Sequence, residues 1–316
     1  MKKQKVFAGI DIGGTSLKAG LFSEKMELLA RFSTPVNRED KPKTSVNNLV
    51  SWLQSSEIAE KGKLHAVGVG IPGIFDHEKG MLTLAANLPQ WVGFPVRDFL
   101  KENLGVQIVI GNDGNMAALG EYHAGSGREL ESMMMLMLGT GVGGAIIDNG
   151  RILEYNGFSG EIGHIIIDID GVICQCGHRG CLETMAAKSG LIRMLHETLE
   201  KTEYSKGAYA NLSEITPLDL SNLAATGDKI AMQVYRTSGT AVGIGISNIL
   251  NILRLDGVVI GGGIAGAWEG FFKSIEETVA KTVFSYDPEK IKIRKASLGE
   301  DAGIYGAGVA AMQAVD

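Results

Sequence analysis

The chain has 316 residues, of which 45% are hydrophobic, 21% charged and 6% aromatic, a composition that builds packed cores and excludes a disordered chain. Glycine is the outlier at 43 residues, against about 22 for an average chain of this length; with seven prolines and no Gly-X-Y period, collagen-like and low-complexity readings fall away. Acidic residues outnumber basic ones 36 to 30, a net charge of −6, which argues against nucleic acid as a partner because phosphate neutralisation needs a basic surplus or a basic arm.

The N-terminal MKKQKVFAGID reaches Asp11 after five uncharged residues, too few for the core of a signal peptide. No later stretch approaches the ~18 uncharged apolar residues of a membrane span. A soluble cytoplasmic protein with no membrane partner is expected, and three cysteines without an export signal argue against a disulfide framework.

KVFAGID (5–11), LKAGLF and LLARFST, the first two separated by Gly13–Gly14, predict an antiparallel meander of three strands. Residues 43–60 are polar with Leu49, Trp52, Leu53 and Ile58 at near-helical spacing. HAVGVGIPG predicts a buried strand running into a Pro–Gly stop, VRDFLKENLG a helix closed by glycine, VQIVIGND a strand, and 114–123 a helix. The pattern then restarts. MMMLMLGTGVGGAIIDNGRIL is again strand, glycine turn and strand, with Gly141 lying 127 residues beyond Gly14. A long helix over about 228–253, the strand GVVIGGG, another helix, the strand KIKIRKA and a final helix follow. Two similarly built halves predict a duplicated α/β architecture, divided into 1–122 and 123–316.

Glycines at strand ends let backbone N–H groups approach a phosphate without obstruction by Cβ. The dinucleotide pattern G-x-G-x-x-G occurs twice. Gly139, Gly141 and Gly144 precede a strand where that motif needs a helix. Gly261, Gly263 and Gly266 have the better context, with Asp287 roughly where a ribose-binding acid could fall, but no series of βα units surrounds them. Glycines that serve only tight turns are the plainer reading of any one cluster. Taken together, D-I-G-G-T (11–15), L-G-T-G-V-G-G (138–144) and V-I-G-G-G (259–263) resemble the two phosphate loops and the adenosine loop of the actin/hexokinase superfamily. That resemblance implies two actin-like (ribonuclease H-like) lobes with a mixed sheet in each and ATP in the cleft between them. It puts Gly13, Gly14 and Thr15 at the phosphates, Asp11 near Mg²⁺, Gly139, Thr140 and Gly141 at the second phosphate loop, and Gly262 and Gly263 by the nucleoside. Lys18 could add charge near the phosphates or be an ordinary surface lysine.

Cys174, Cys176 and Cys181 share an eight-residue window, with His164 ten residues before it. Three thiolates and an imidazole make a complete tetrahedral zinc set, although C-x-C-x4-C is not the common C-x2-C knuckle. Three small buried thiols are the alternative, and His178 is a rival fourth ligand.

G-E-I-G-H followed by C-x-C-G-x-x-G-C-L-E resembles the ROK family of bacterial sugar kinases, repressors and uncharacterised relatives, over nearly the whole chain. The resemblance implies structural zinc on His164, Cys174, Cys176 and Cys181, and sugar hydroxyls bound by Glu161, His164 and Glu183. Carboxylates accept hydrogen bonds from vicinal hydroxyls, and zinc on one histidine nitrogen leaves the other to face the sugar. N-D-G-N-M-A-A-L-G-E (112–121) resembles the family's catalytic segment. From position alone Asp113 reads as a helix N-cap; the resemblance makes it the general base, with Asn112 orienting the sugar and Gly73 of G-I-P-G at the pocket's edge. Gly114, where the family often has alanine, and Leu255, where proline is common, depart from the pattern.

The activity implied is ATP-dependent phosphorylation of a hexose by a homodimeric kinase, with glucose the first expectation and N-acetylhexosamine, fructose or a β-glucoside open. A sugar-sensing relative without kinase activity is the alternative. Repressors of the family carry an additional N-terminal helix-turn-helix domain, whereas here the first phosphate loop starts at Asp11.

Overall fold

The structure is a computed structural model that describes residues 3–37, 41–76, 78–85, 88–154, 160–202, 209, 211, 214–267 and 269–315. Its chain falls into two units, one of Met1–Glu129, Gly150–Ile152 and Ser297–Asp316, the other of Leu130–Asn149 and Leu153–Ala296.

Within the first unit the strands are β1 (Lys5–Ile12), β2 (Ser16–Ser23), β3 (Leu28–Pro35), β4 (Lys63–Ile71), a short ribbon of β5 (Ile74–Asp76) and β6 (Met81–Leu84), and β7 (Gln107–Asn112). The main sheet has the order β3-β2-β1-β4-β7. β1, β2 and β3 form the expected antiparallel meander, and β4 and β7 continue the sheet parallel to β1. The central β1 is buried almost continuously, because both of its faces are covered. On one face Ala8, Ile10 and Ile12 join Val67, Val69 and Ile71 with Leu49, Leu53 and Leu100 from helices. On the other, Phe7 and Ala66 meet Ala311 of the last helix. Edge strand β3 alternates half-buried and exposed residues over its second half.

The near-helical spacing over 43–60 corresponds to two helices, Pro42–Leu53 and Ser56–Lys61, because Ser55 leaves helical geometry and its hydroxyl accepts from Ile58 N. Ser55 is thus an N-cap inside the polar run. The 114–123 expectation corresponds to the helix Asp113–Ala124.

β8 (Ser132–Leu138) and β9 (Val142–Asp148) open the second unit as an antiparallel pair. Gly257–Gly261 lies parallel to β8, and Lys292–Lys295 parallel to it in turn. Antiparallel hairpin first, parallel strands after: the second sheet repeats the scheme of the first. Its core joins Met134, Leu136, Val258 and Ile260 to Ile246, Phe271 and Ile275 from the flanking helices. The long helix Lys229–Leu253 is capped by the Asp228 side chain on Ala231 N and ends at Arg254 in left-handed geometry. No described helix is long and apolar enough to cross a membrane.

A single boundary after residue 122 does not describe these units, since the chain returns to the first one for its last helix, Ala302–Gln313. The cause is packing. This helix, AGIYGAGVAAMQ, is made largely of glycine and alanine and lies against β1, β4 and the helix Asp113–Ala124. A methyl group added at Gly9 would sit 1.9 Å from the Ile304 carbonyl oxygen, and one at Gly306 would sit 1.6 Å from that of Met116. Backbone touches backbone there, with no flexible side chain to give way.

Gly306→Ala should therefore destabilise the first unit by about 3 kcal/mol or more, since overpacking against backbone outweighs the ~1 kcal/mol that alanine gains over glycine in a helix. Thermal melts would decide it. A melting temperature equal to or above that of the unsubstituted protein would mean that the two helices can separate at little cost.

Candidate active site and metal centre

Three parallel strands of the first unit end side by side, with Asp11 paired in register to Gly70 and Ile71 to Asn112. Ligands of open α/β sheets bind at this carboxyl edge. Here it collects Asp11, the Gly13–Thr15 turn, the stop at Pro72–Gly73 and the start of the helix Asp113–Ala124. The turn is closed by Gly13 N donating to Ser16 O at 2.8 Å. Gly73 has φ +120°, a conformation that favours glycine as the chain leaves β4 for the ribbon.

The N-cap is Asn112, not Asp113: its side-chain oxygen accepts from Gly114 N at 2.8 Å. Asp113 is the first helical residue, and its Oδ1 also accepts from Gly114 N, at 2.9 Å. With capping assigned to its neighbour, the Asp113 carboxylate is not required to begin the helix.

Burial raises the pKa of both carboxyl groups. Asp11 is pushed from 3.8 up to about 6, first by loss of water, then by the charge of Asp113, with Lys18 pulling the other way. Asp113 is raised by burial, opposed by the Gly114 N–H. Two half-buried acids side by side make a site that gains from a cation. Lys18 stands opposite Asp11 in the β1–β2 register, but its ammonium is held by Glu300 Oε2 at 2.5 Å. Next to it, Arg31 forms a two-pronged pair with Asp301 at 2.6 and 2.7 Å. These acids, just before the last helix, carried no signal in the sequence because their partners lie some 270–280 positions away.

In the second unit, the Gly139–Gly141 turn is closed by Gly139 N donating to Gly141 O at 3.0 Å. Gly262, at φ +88°, packs on Leu138, whose carbonyl accepts from Ile264 N at 3.0 Å. The turns holding Gly139, Thr140 and Gly141 and Gly262 and Gly263 are therefore neighbours at one end of the sheet. The G-x-G-x-x-G at 139–144 runs into strand β9 and not a helix, as the sequence suggested.

Glu183, first residue of the short helix Glu183–Ala186, reaches back to this edge. Its Oε2 accepts from Val142 N at 2.9 Å, while its Oε1 lies 3.7 Å from Cys174 Sγ. It joins the second glycine turn to the sulfur cluster. Glu161 is exposed, immediately before the 3₁₀ turn Ile162–His164.

His164, Cys174, Cys176 and Cys181 present donor atoms all within 4.8 Å of one another. Cys174 Sγ is 3.8 Å from His164 Nδ1, and Cys176 Sγ is 3.6 Å from Cys181 Sγ. These are the edges of a tetrahedron with ~2.3 Å metal–sulfur bonds. The unusual spacing has a local cause: Cys174 N donates to His178 O at 2.7 Å and Gly177 N to Cys174 O at 2.9 Å, folding residues 174–178 into a tight turn. His178 approaches Cys176 at 3.5 Å but is not in the four-residue group. The His178 backbone N–H also pulls the Cys176 thiol down to about 6, towards the thiolate a metal requires. The donor set and the distances between its atoms fit zinc.

Two ribonuclease H-like sheets, each opening on a glycine-turned hairpin and offering that turn at its ligand-binding edge, define an actin-like ATPase fold. The chain belongs to the ROK family, whose profile matches residues 7–314. It is 34% identical to the glucokinase of Halalkalibacterium halodurans, over 96% of this chain and 93% of that one. The ROK hexokinase of Thermus thermophilus superposes with a TM-score of 0.85 at 31% identity, covering 98% of this chain and 99% of that one. A ROK family glucokinase of Streptomyces griseus, solved with glucose and AMPPNP, gives 0.75 at 27% identity, over 98% and 99%.

Asp11 yields a pH-dependent prediction. A carboxyl whose folded-state value is raised supports folding while protonated, and that support is lost as pH rises from about 4 through about 6. Asp11→Asn, which cannot ionise, should be about 2–3 kcal/mol more stable than the unsubstituted protein near pH 7.5 without metal, and nearly equal to it near pH 3. Denaturation at the two pH values measures the difference, and a pH-independent gap would remove the assignment of a strained Asp11 carboxylate.

Proposed function

We propose that the protein is an ATP-dependent hexose kinase acting first on glucose, with Asp113 as general base. The observation that carries this reading is the placement of Asp113: a half-buried carboxyl at the carboxyl edge of the parallel strands, beside Asp11, with the helix cap supplied by Asn112. The kinship to glucokinases and to a structure holding glucose and AMPPNP supports both the reaction and the sugar.

In this reading Asp113 accepts the proton of the attacking sugar hydroxyl as the new O–P bond forms and the bond to ADP breaks. Its raised pKa makes it a stronger base than an exposed carboxylate and makes activity fall as pH drops through that raised value. Asp11 would hold Mg²⁺, which would neutralise charge on the nucleotide phosphates. Backbone N–H groups around Gly13, Gly14 and Thr15, and around Gly139, Thr140 and Gly141, hold phosphate oxygens, with Lys18 adding charge nearby and Gly262 and Gly263 beside the nucleoside. Asn112, Glu161, His164 and Glu183 bind sugar hydroxyls, with Gly73 at the rim. His164, Cys174, Cys176 and Cys181 would hold zinc, which would fix the imidazole and leave its other ring nitrogen for the sugar. A homodimer is the assembly we expect.

Asp113→Asn keeps the acceptor for Gly114 N and removes only the base. Its kcat should fall by roughly 10²–10⁴ while sugar and ATP still bind and the melting temperature stays level or rises, since a buried charge is removed. ADP release across a hexose panel tests the activity itself; residual turnover above about a tenth in folded Asp113→Asn would move the base elsewhere, Glu161 being next in line.

Metal analysis should find close to one zinc per chain. Cys176→Ser should lower zinc content and sugar affinity together, with ATP affinity less affected. A zinc-free protein with full activity would dismiss the metal centre.

A further inference from the structure

Glu121 has no role in the reading above, yet it is fully buried and sits two turns after Asp113 on the same helix. Among the described residues no cation pairs with it. Its charge is met by neutral donors instead: Oε1 accepts from Ser297 N at 2.9 Å and Leu298 N at 2.7 Å, and Oε2 from Ser126 N at 2.9 Å. The Ser297 hydroxyl stands at 3.4 Å. The Gly125–Gly127 turn closes over it, with both glycine N–H groups donating to the Glu121 carbonyl. A buried carboxylate is costly unless such bonds surround it, and bonds to a charged acceptor are the stronger kind.

What these bonds hold is informative. Ser297 and Leu298 lead directly into residues 299–301, whose Glu300 takes the Lys18 ammonium. The last helix then begins, and Gly303 in its first turn is packed so closely on Asp11 that an added methyl would lie 2.7 Å from the Asp11 carboxyl carbon. One carboxylate therefore ties the helix that carries Asp113 to the segment that confines Asp11 and Lys18.

We infer that Glu121 is a positioning residue for phosphoryl transfer, setting the Mg·ATP side of the site through residues 297–303. The inference rests on the kinase reading above. Glu121→Gln is nearly isosteric, but its amide turns one acceptor into a donor facing backbone N–H groups. Leu298→Pro perturbs the same contact from the other side: it deletes one N–H donor at a residue whose φ of −81° proline tolerates. Both variants should raise the KM for Mg·ATP about tenfold and lower kcat several-fold, with the sugar KM within about twofold.

If the kinase reading is wrong, the unsubstituted protein itself fails to turn over any hexose. If that protein is active and the variants melt lower but keep both KM values, Glu121 is only a structural clamp and the inference is overturned. If Glu121→Gln does not fold, Leu298→Pro carries the test alone: a selective rise in the Mg·ATP KM supports the inference, and an unchanged one rejects it.

Discussion

The first unit depends on a contact from which side chains are missing. The last helix can lie against β1, β4 and the helix Asp113–Ala124 because glycines on both sides let main chain meet main chain. Packed interiors resist displacement because gaps and overlaps both cost free energy, and a contact of bare backbone leaves no rotamer to absorb a shift. The end of β1 and the start of that helix are thus set relative to each other by direct backbone packing against the last helix. Asp11 and Asp113 occupy those two points.

Placing two acids there opposes stability. Each would be easier to bury as a neutral group, and each raises the free energy of the ionised other. Strain of this kind is characteristic of groups arranged for chemistry, and the rigid backbone contact beneath them prevents the repulsion from being relieved by movement. The sulfur cluster follows a similar logic in the second unit. A hydrogen-bonded turn brings Cys174 and Cys176 together before any metal is considered, so the chain supplies the convergence and the ion would be left to supply bonding.

Local pattern carried much of this into the sequence. The glycine-turned hairpins, the parallel strands after them, the cysteine cluster and the Asn112–Asp113 step are all short-range features, and each lies where its pattern indicated. The Asn112 cap was harder to read, since Asn and Asp are equally good N-caps and only coordinates show which side chain reaches Gly114 N. His164 and His178 could likewise be separated only by the turn that carries one of them away from the four-donor group. Least legible were the contacts of residues 297–303, where Ser297, Glu300 and Asp301 meet partners on early strands and on the helix Asp113–Ala124. No periodicity encodes a pairing across most of the chain. The same is true of the return of the last helix to the first unit, which a boundary drawn at one point in the sequence could not express.

That return imposes an order on synthesis. When residues 1–129 have left the ribosome, the face of β1 and β4 that the last helix covers is still bare, and it stays so until the whole second unit has been made. At ~5–20 residues per second the wait is on the order of ten seconds or more. The second unit holds all its own strands in one uninterrupted stretch apart from residues 150–152, so it can reach its native packing while the first is still waiting for its last helix. The N-terminal part of this protein is made first and completed last, and in a nascent chain its glycine-lined sheet face is the surface most in need of a chaperone.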